Sequence, residues 1–154
     1  MSYALVIQGT HHGAWLWTLW AAFGFRVLAQ LLQRVHPVAS LPRFDAWHSA
    51  TLPYPALLAI QLIMVVALAS VAWSVWRGTT RRRARLGKWL RRLGGFYLFV
   101  MLARLALGLT ALSGHPWFDK PVPTLFHLIL AGYLLVLASY HSCTQEAPHG
   151  ENRV

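Results

Sequence analysis

Acidic residues are scarce in this chain of 154 residues, which has four Asp and Glu against 14 Lys and Arg. Charged residues make up only 12% of it, whereas a soluble domain averages about 25%. Hydrophobic residues make up 56%, so the composition indicates a membrane protein rather than a soluble one. In a membrane protein, the net charge of +10 indicates contact with anionic lipid, and we expect no nucleic-acid partner.

The scarcity of carboxylates and cysteine excludes several kinds of site. Cys143 is the only cysteine, so no intrachain disulfide and no Cys-based zinc motif can form. Magnesium chemistry uses clustered carboxylates, and zinc hydrolysis uses a HExxH-like helix face; neither is present. Ser113-Gly114-His115 resembles one element of membrane lipid phosphatases but lacks that family's flanking motifs. We therefore predict no catalytic residue and no metal site.

Four apolar segments are each long enough to cross about 30 Å of hydrocarbon at 1.5 Å per residue. They are residues 14–33, 53–76, 93–112 and 122–140. A lipid-exposed backbone must satisfy its own hydrogen bonds, so we expect helices. Residues 1–13 contain no Lys or Arg, unlike the basic start of a signal peptide, so we interpret the first segment as retained. The sequence predicts an all-α integral membrane protein, a single four-transmembrane-helix bundle with a polar tail at 142–154.

A basic segment, residues 77–92, separates the second and third apolar segments. It contains eight of the 14 Lys and Arg residues, namely Arg77, Arg81, Arg82, Arg83, Arg85, Lys88, Arg91 and Arg92. Basic loops beside membrane spans stay in the cytoplasm. We therefore expect this loop and, by parity, both termini to be cytoplasmic in a bacterial inner membrane, with the loop against anionic lipids of the cytoplasmic leaflet.

Each predicted span carries a polar side chain at a similar depth, far from the basic loop. These side chains, which we call the polar layer, are Arg26 and Gln30 in the first span, Gln61 in the second, Arg104 in the third and His127 in the fourth. Arg26, Gln61, Arg104 and His127 lie about 8–12 Å below the outer span ends at 1.5 Å per residue, and Gln30 lies one turn from Arg26 on the same helix face. An Arg in hydrocarbon costs about 2.5–3.5 kcal/mol, so such residues usually face a bundle interior or a water-filled cavity.

The polar layer favours an anionic or carbonyl-bearing ligand, because no span contains a carboxylate. Candidates are a quinone, a lipid head group or a haem with its propionates, bound by a membrane-embedded binding or redox-accessory module. Alternatively, the protein is a structural or accessory subunit, and the same residues contact another membrane protein or a second copy. The arginines can also extend to the outer head groups without binding anything.

Four histidines raise the possibility of haem. His127 and His141 are 14 residues apart, nearly four full turns, so they share a helix face. His48 precedes the second span on the outer side, and His12 (or His11) precedes the first on the inner side. The pairs His48–His127 and His12–His141 could each hold a haem across the bundle. In the other interpretation these are interfacial histidines, and His127 forms hydrogen bonds within the bundle.

The chain length, the number of spans and the order of the histidines resemble the bacterial four-helix cytochrome b561 family. This resemblance implies two b haems with His ligands on the first, second and fourth helices. It is a resemblance of layout over most of the chain, and no sequence motif around His12, His48, His127 or His141 accompanies it.

Overall fold

A computed structural model describes residues 2–47, 52–111 and 121–142. This part of the chain contains no strand and forms the helices α1 (Ser2–Val35), α2 (Phe44–Trp47), α3 (Tyr54–Trp76), α4 (Ala84–Leu109) and α5 (Pro121–Ser142). Four of them, α3, α4, α5 and α1 from Thr10 onwards, are long and apolar enough to cross a membrane. The predictions of an all-α chain and of four membrane-length helices are confirmed.

The third long helix starts earlier than predicted. α4 begins at Ala84, nine residues before the expected start at residue 93. Half of the basic residues therefore lie on its first turns and not in a loop, namely Arg85, Lys88, Arg91 and Arg92. Arg, Lys and Leu are strong helix formers, and long basic side chains can reach towards water while the helix continues. The basic loop shortens to residues 77–83, and Gly78 supplies its left-handed turn with a φ of 68°.

Two further elements extend the predicted organisation at its ends. α1 runs back to Ser2, well before the apolar segment that begins at residue 14. α2 is a single helical turn within the predicted outer loop. Its last residue, Trp47, is buried, so this turn packs onto the long helices.

The four long helices form a curved row that is open on one side. α1 packs between α3 and α5, and α5 packs against α4 on its other side. Within the described residues α3 and α4 do not pack against each other. The hydroxyl of Tyr133 on α5 donates to the Leu68 carbonyl of α3 over 2.7 Å, which draws α3 towards α5. A cleft therefore separates α3 from α4.

The buried apolar core lies where α1, α3 and α5 meet. Its fully buried members are Leu16, Ala72, Val75, Tyr133 and Tyr140. Lipid is as apolar as a leucine side chain, so the association of membrane helices depends on close packing and hydrogen bonds. Besides Tyr133, the Trp20 indole contributes one of these bonds, donating to the Val65 carbonyl over 2.9 Å.

Two glycines on one face of α4 let it approach α5 closely. A Cβ atom at Gly94 would lie 3.1–3.2 Å from side-chain atoms of Leu134 and Leu135. A Cβ at Gly87, seven residues earlier, would lie 2.6 Å from the Ser142 Oγ. Small residues at such positions let helix backbones pack tightly in a membrane.

A matched pair of substitutions tests this contact. We expect Gly94→Ile to lower the free energy of unfolding by about 1–3 kcal/mol, because the added side chain overpacks the α4–α5 interface. Gly95→Ile makes the same change where nothing lies within 4 Å, and we expect it to be close to neutral. Unfolding in mixed micelles by added SDS, followed by circular dichroism, measures both. Equal effects of the two variants would contradict the packing described.

Candidate functional site

The polar layer lies in one band across the four long helices. Arg26, Gln61, Arg104 and His127 are five to nine residues from the helix ends opposite the basic loop. The two arginines and the two glutamines are buried, and His127 is half-buried. Side chains from four different helices thus occupy the interior at one depth.

The two glutamines connect α1 to α3, but one amide nitrogen and one amide oxygen of the pair form no hydrogen bond within the described residues. Gln61 Nε2 donates to Gln30 Oε1 at 3.4 Å, which is long for this kind of bond. Gln30 Nε2 and Gln61 Oε1 are buried with no partner among the described residues. Leaving such a group unpaired costs about 1–3 kcal/mol. The pair therefore offers one donor and one acceptor to a further molecule.

Arg26 lies between α2 and α5. One of its terminal nitrogens donates to the Trp47 carbonyl at 3.3 Å, and its guanidinium lies 5.2 Å from the centre of the Phe126 ring. The Trp47 ring stacks on that same phenylalanine at 6.0 Å. The cation–π contact stabilises the charge in part, yet Arg26 Nε has no hydrogen-bond partner in the described part of the chain.

Gln33 holds in place the segment that carries α2. Its Oε1 accepts from the Val38 amide at 2.7 Å, and its Nε2 donates to the Leu41 and Pro42 carbonyls at 2.9 and 2.7 Å. The Trp47 indole donates to that same Pro42 carbonyl at 2.8 Å. The sequence prediction treated Gln33 only as the end of a span. Its position seven residues after Arg26, on the same helix face, is the signal that could have identified it.

Tyr97 is a second residue that the sequence prediction missed. Its hydroxyl lies 2.6 Å from His127 Nδ1, which joins α4 to α5 within the polar layer. Arg104 interacts electrostatically with both Tyr97 and His127, and Arg26 interacts electrostatically with His127. The seven-residue spacing between Tyr97 and Arg104 places them on one face of α4, and this spacing could have identified Tyr97.

The layer is rich in hydrogen-bond donors and carries positive charge. It contains two guanidinium groups, and no Asp or Glu occurs on the four long helices. Asp45 of α2 is the only acidic residue in the part of the chain that the structure describes. No cluster of His, Cys, Asp or Glu among these residues could hold a metal ion. Such a set of donors suits an anion or a carbonyl oxygen.

The basic residues lie towards the opposite end, on the loop 77–83 and the first turns of α4. All eight are exposed except Arg82, which is half-buried. The Arg82 guanidinium lies over the Tyr140 ring at 5.0 Å, and the Tyr140 hydroxyl donates to the Thr80 carbonyl at 2.8 Å. These contacts hold the loop against the end of α5.

The predicted pair His12–His141 lies at the loop end and stays a prediction. His141 Nδ1 accepts a hydrogen bond from the Arg83 amide at 3.2 Å, so in this arrangement its proton lies on Nε2, and coordination of iron by Nε2 requires the other tautomer and the loss of this bond. The Tyr140 ring contacts both His12, at 5.9 Å, and His141, at 5.4 Å. His48 lies outside the described residues, so its pairing with His127 stays a prediction.

Comparisons with protein-family models, with curated proteins and with solved structures give no match. The resemblance to four-helix cytochromes therefore rests on the number of spans and the order of the histidines.

The visible spectrum of the purified protein tests the haem expectation. We expect His141→Ala to leave it unchanged, because the hydrogen bond from the Arg83 amide keeps the proton of His141 on Nε2. A Soret band lost in His127→Ala but kept in His141→Ala would identify a single haem in the polar layer. A protein without a Soret band would leave quinone and lipid as the ligand classes. Two b haems, one of them lost in His141→Ala, would contradict the hydrogen bonding described.

Proposed function

We propose that this is an integral membrane protein that binds an anionic or carbonyl-bearing molecule in the polar layer. The ligand classes are a quinone, a lipid head group or, if His127 supplies a ligand, haem. The observation that carries the proposal is the set of buried polar atoms that lack partners in the described part of the chain, namely Arg26 Nε, Gln30 Nε2 and Gln61 Oε1.

The surface supports insertion in a membrane. Large apolar side chains on α3 and α4 are about two-thirds exposed, among them Val66 at 69%, Trp89 at 70% and Phe99 at 69%. Soluble monomers rarely expose contiguous apolar patches of this kind. The basic residues concentrate at one end of the helices, so we place that end in the cytoplasm and the polar layer in the outer half of a bacterial inner membrane.

The energy of burial supports a ligand. An Arg in hydrocarbon costs about 2.5–3.5 kcal/mol on insertion scales, and this chain buries two, with exposed fractions of 8% for Arg26 and 9% for Arg104. The glutamine pair adds unpaired amide atoms at the same level. A bound phosphate, carboxylate or carbonyl oxygen accepts hydrogen bonds from these donors and offsets much of this cost.

The route of entry favours a lipid-soluble ligand. α3 and α4 do not pack against each other in the described structure, so the interior opens sideways towards the hydrocarbon. At the outer end, Trp47 is 4% exposed and covers Arg26. A quinone or a phospholipid can enter from the bilayer, whereas a water-soluble anion would have to pass α2.

An accessory-subunit role uses the same residues differently. There the donors of the polar layer bind a carbonyl-rich helix of another membrane protein or of a second copy, seated between α3 and α4. Small molecules retained by the purified protein discriminate between the two roles, because an accessory subunit has no ligand of its own.

We expect the double substitution Arg26→Leu plus Arg104→Leu to leave the protein folded and to remove its ligand. Hydrogen bonds to charged groups contribute about 1.5–3 kcal/mol each, so losing two lowers the affinity by roughly 100-fold or more. Mass spectrometry of molecules extracted from the purified protein measures the retained ligand. Helical content and elution as a single species report folding.

The matched control is Arg34→Leu plus Arg43→Leu, which removes two exposed arginines at the same end of the helices. We expect this variant to retain the ligand. Equal retention by both double variants would mean that Arg26 and Arg104 only extend to the head groups. A wild-type protein that retains no small molecule would favour the accessory-subunit role.

A further inference from the structure

A cavity lies in the cleft between α3 and α4, beside the basic loop. Its volume is about 410 Å³, and residues of α3, α4, α5 and the loop 77–83 line it. It is distinct from the polar layer, since none of the five polar-layer residues lines it.

Part of the lining of this cavity is polar and cationic. Arg81, Arg83 and the buried His141 line it. Because His141 Nδ1 accepts the Arg83 amide, its Nε2 carries a proton and is a donor. Asp45, the only acidic residue of the described chain, lies on α2 at the opposite end. Three side-chain donors thus meet where the described structure has no carboxylate to neutralise them.

The start of α4 adds to the positive potential. The helix has no side-chain hydrogen bond at its N-cap, Arg83, and no acidic residue in its first turn. The first amides of a helix lack partners within it, and the helix dipole places partial positive charge there. An anion beside Arg83 can accept hydrogen bonds from these amides in place of a capping side chain.

The cavity also has apolar lining residues. Val71, Leu86 and Leu137 line it, and the cleft is open towards lipid because α3 and α4 do not pack against each other in the described structure. Exposed tryptophans surround the same end, namely Trp73, Trp76 and Trp89. Tryptophan concentrates at the membrane–water interface, so the cavity lies at the depth of lipid head groups.

We propose that this cavity is a binding site for an anionic phospholipid of the leaflet on the basic-loop side. Its phosphate binds Arg81, Arg83 and His141, and its acyl chains lie along Val71, Leu86 and Leu137. A free phosphate would leave the apolar lining residues unused, whereas a phospholipid matches both the cationic and the apolar residues of the lining. The bonds from Tyr140 to the Thr80 carbonyl and from the Arg83 amide to His141 hold the loop in place before binding, which reduces the ordering cost.

Native mass spectrometry in a neutral detergent tests this proposal. The full chain is titrated with phosphatidylglycerol and, separately, with phosphatidylcholine of the same acyl chains. We expect phosphatidylglycerol to bind more tightly, and Arg81→Gln plus Arg83→Gln to weaken it by roughly 25- to 30-fold, since each basic group near a lipid surface contributes about a factor of five. Both residues are exposed, so the substitutions leave the core intact.

The matched control is Arg91→Gln plus Arg92→Gln, an equal loss of charge on exposed residues of α4 that do not line the cavity. We expect it to weaken phosphatidylglycerol by less than about three-fold, because only diffuse attraction is lost. Equal weakening by both double variants, or equal binding of the two lipids, would overturn the site. Inorganic phosphate that competes fully at millimolar concentration would also overturn it, in favour of a free anion. None of these variants changes a residue of the polar layer, so ligand binding there is tested separately.

Discussion

Hydrocarbon offers no hydrogen bonds to a guanidinium or an amide, and this constraint explains the arrangement of the half of the molecule that carries the polar layer. Arg26, Gln30, Gln61 and Arg104 are buried among the helices, where lipid does not surround them. Arg26 contacts a backbone carbonyl and an aromatic ring, and the two glutamines bond to each other. No long helix carries a carboxylate that could neutralise the positive charge of the layer.

The second main feature of the structure is the open row of helices. A closed bundle would bring α3 and α4 together and fill the space between them. Here α1 and α5 occupy the middle of the row, and a cleft opens between α3 and α4. The polar layer lies towards one end of the helices and the cavity beside the basic loop at the other. In the polar layer, buried atoms of Arg26, Gln30 and Gln61 lack partners among the described residues, whereas the arginines that line the cavity beside the basic loop are exposed, which favours different ligands at the two ends.

The sequence predicted the long helices well, because an uninterrupted apolar run of about 20 residues has few other structures available in a membrane. It placed the start of α4 too late, because charged residues end an apolar run without ending a helix. The polar layer could be predicted from depth alone. Gln33 and Tyr97 required the further step of following a helix face seven residues from Arg26 and from Arg104. The order of the helices in the row could not be predicted, because their apolar faces interact with lipid in the same way. The role of Gly94 in close packing is evident only from its contact with α5.

A density map of the protein in lipid nanodiscs, at a resolution that shows side chains, tests directly whether the polar layer binds a ligand. We expect the guanidinium groups of Arg26 and Arg104 to lie level with Gln30 and Gln61. We also expect non-protein density within hydrogen-bonding distance of these side chains. A map in which both arginines extend to the outer head groups, and in which the space between α3 and α4 holds no density beside the glutamines, would contradict ligand binding in the polar layer.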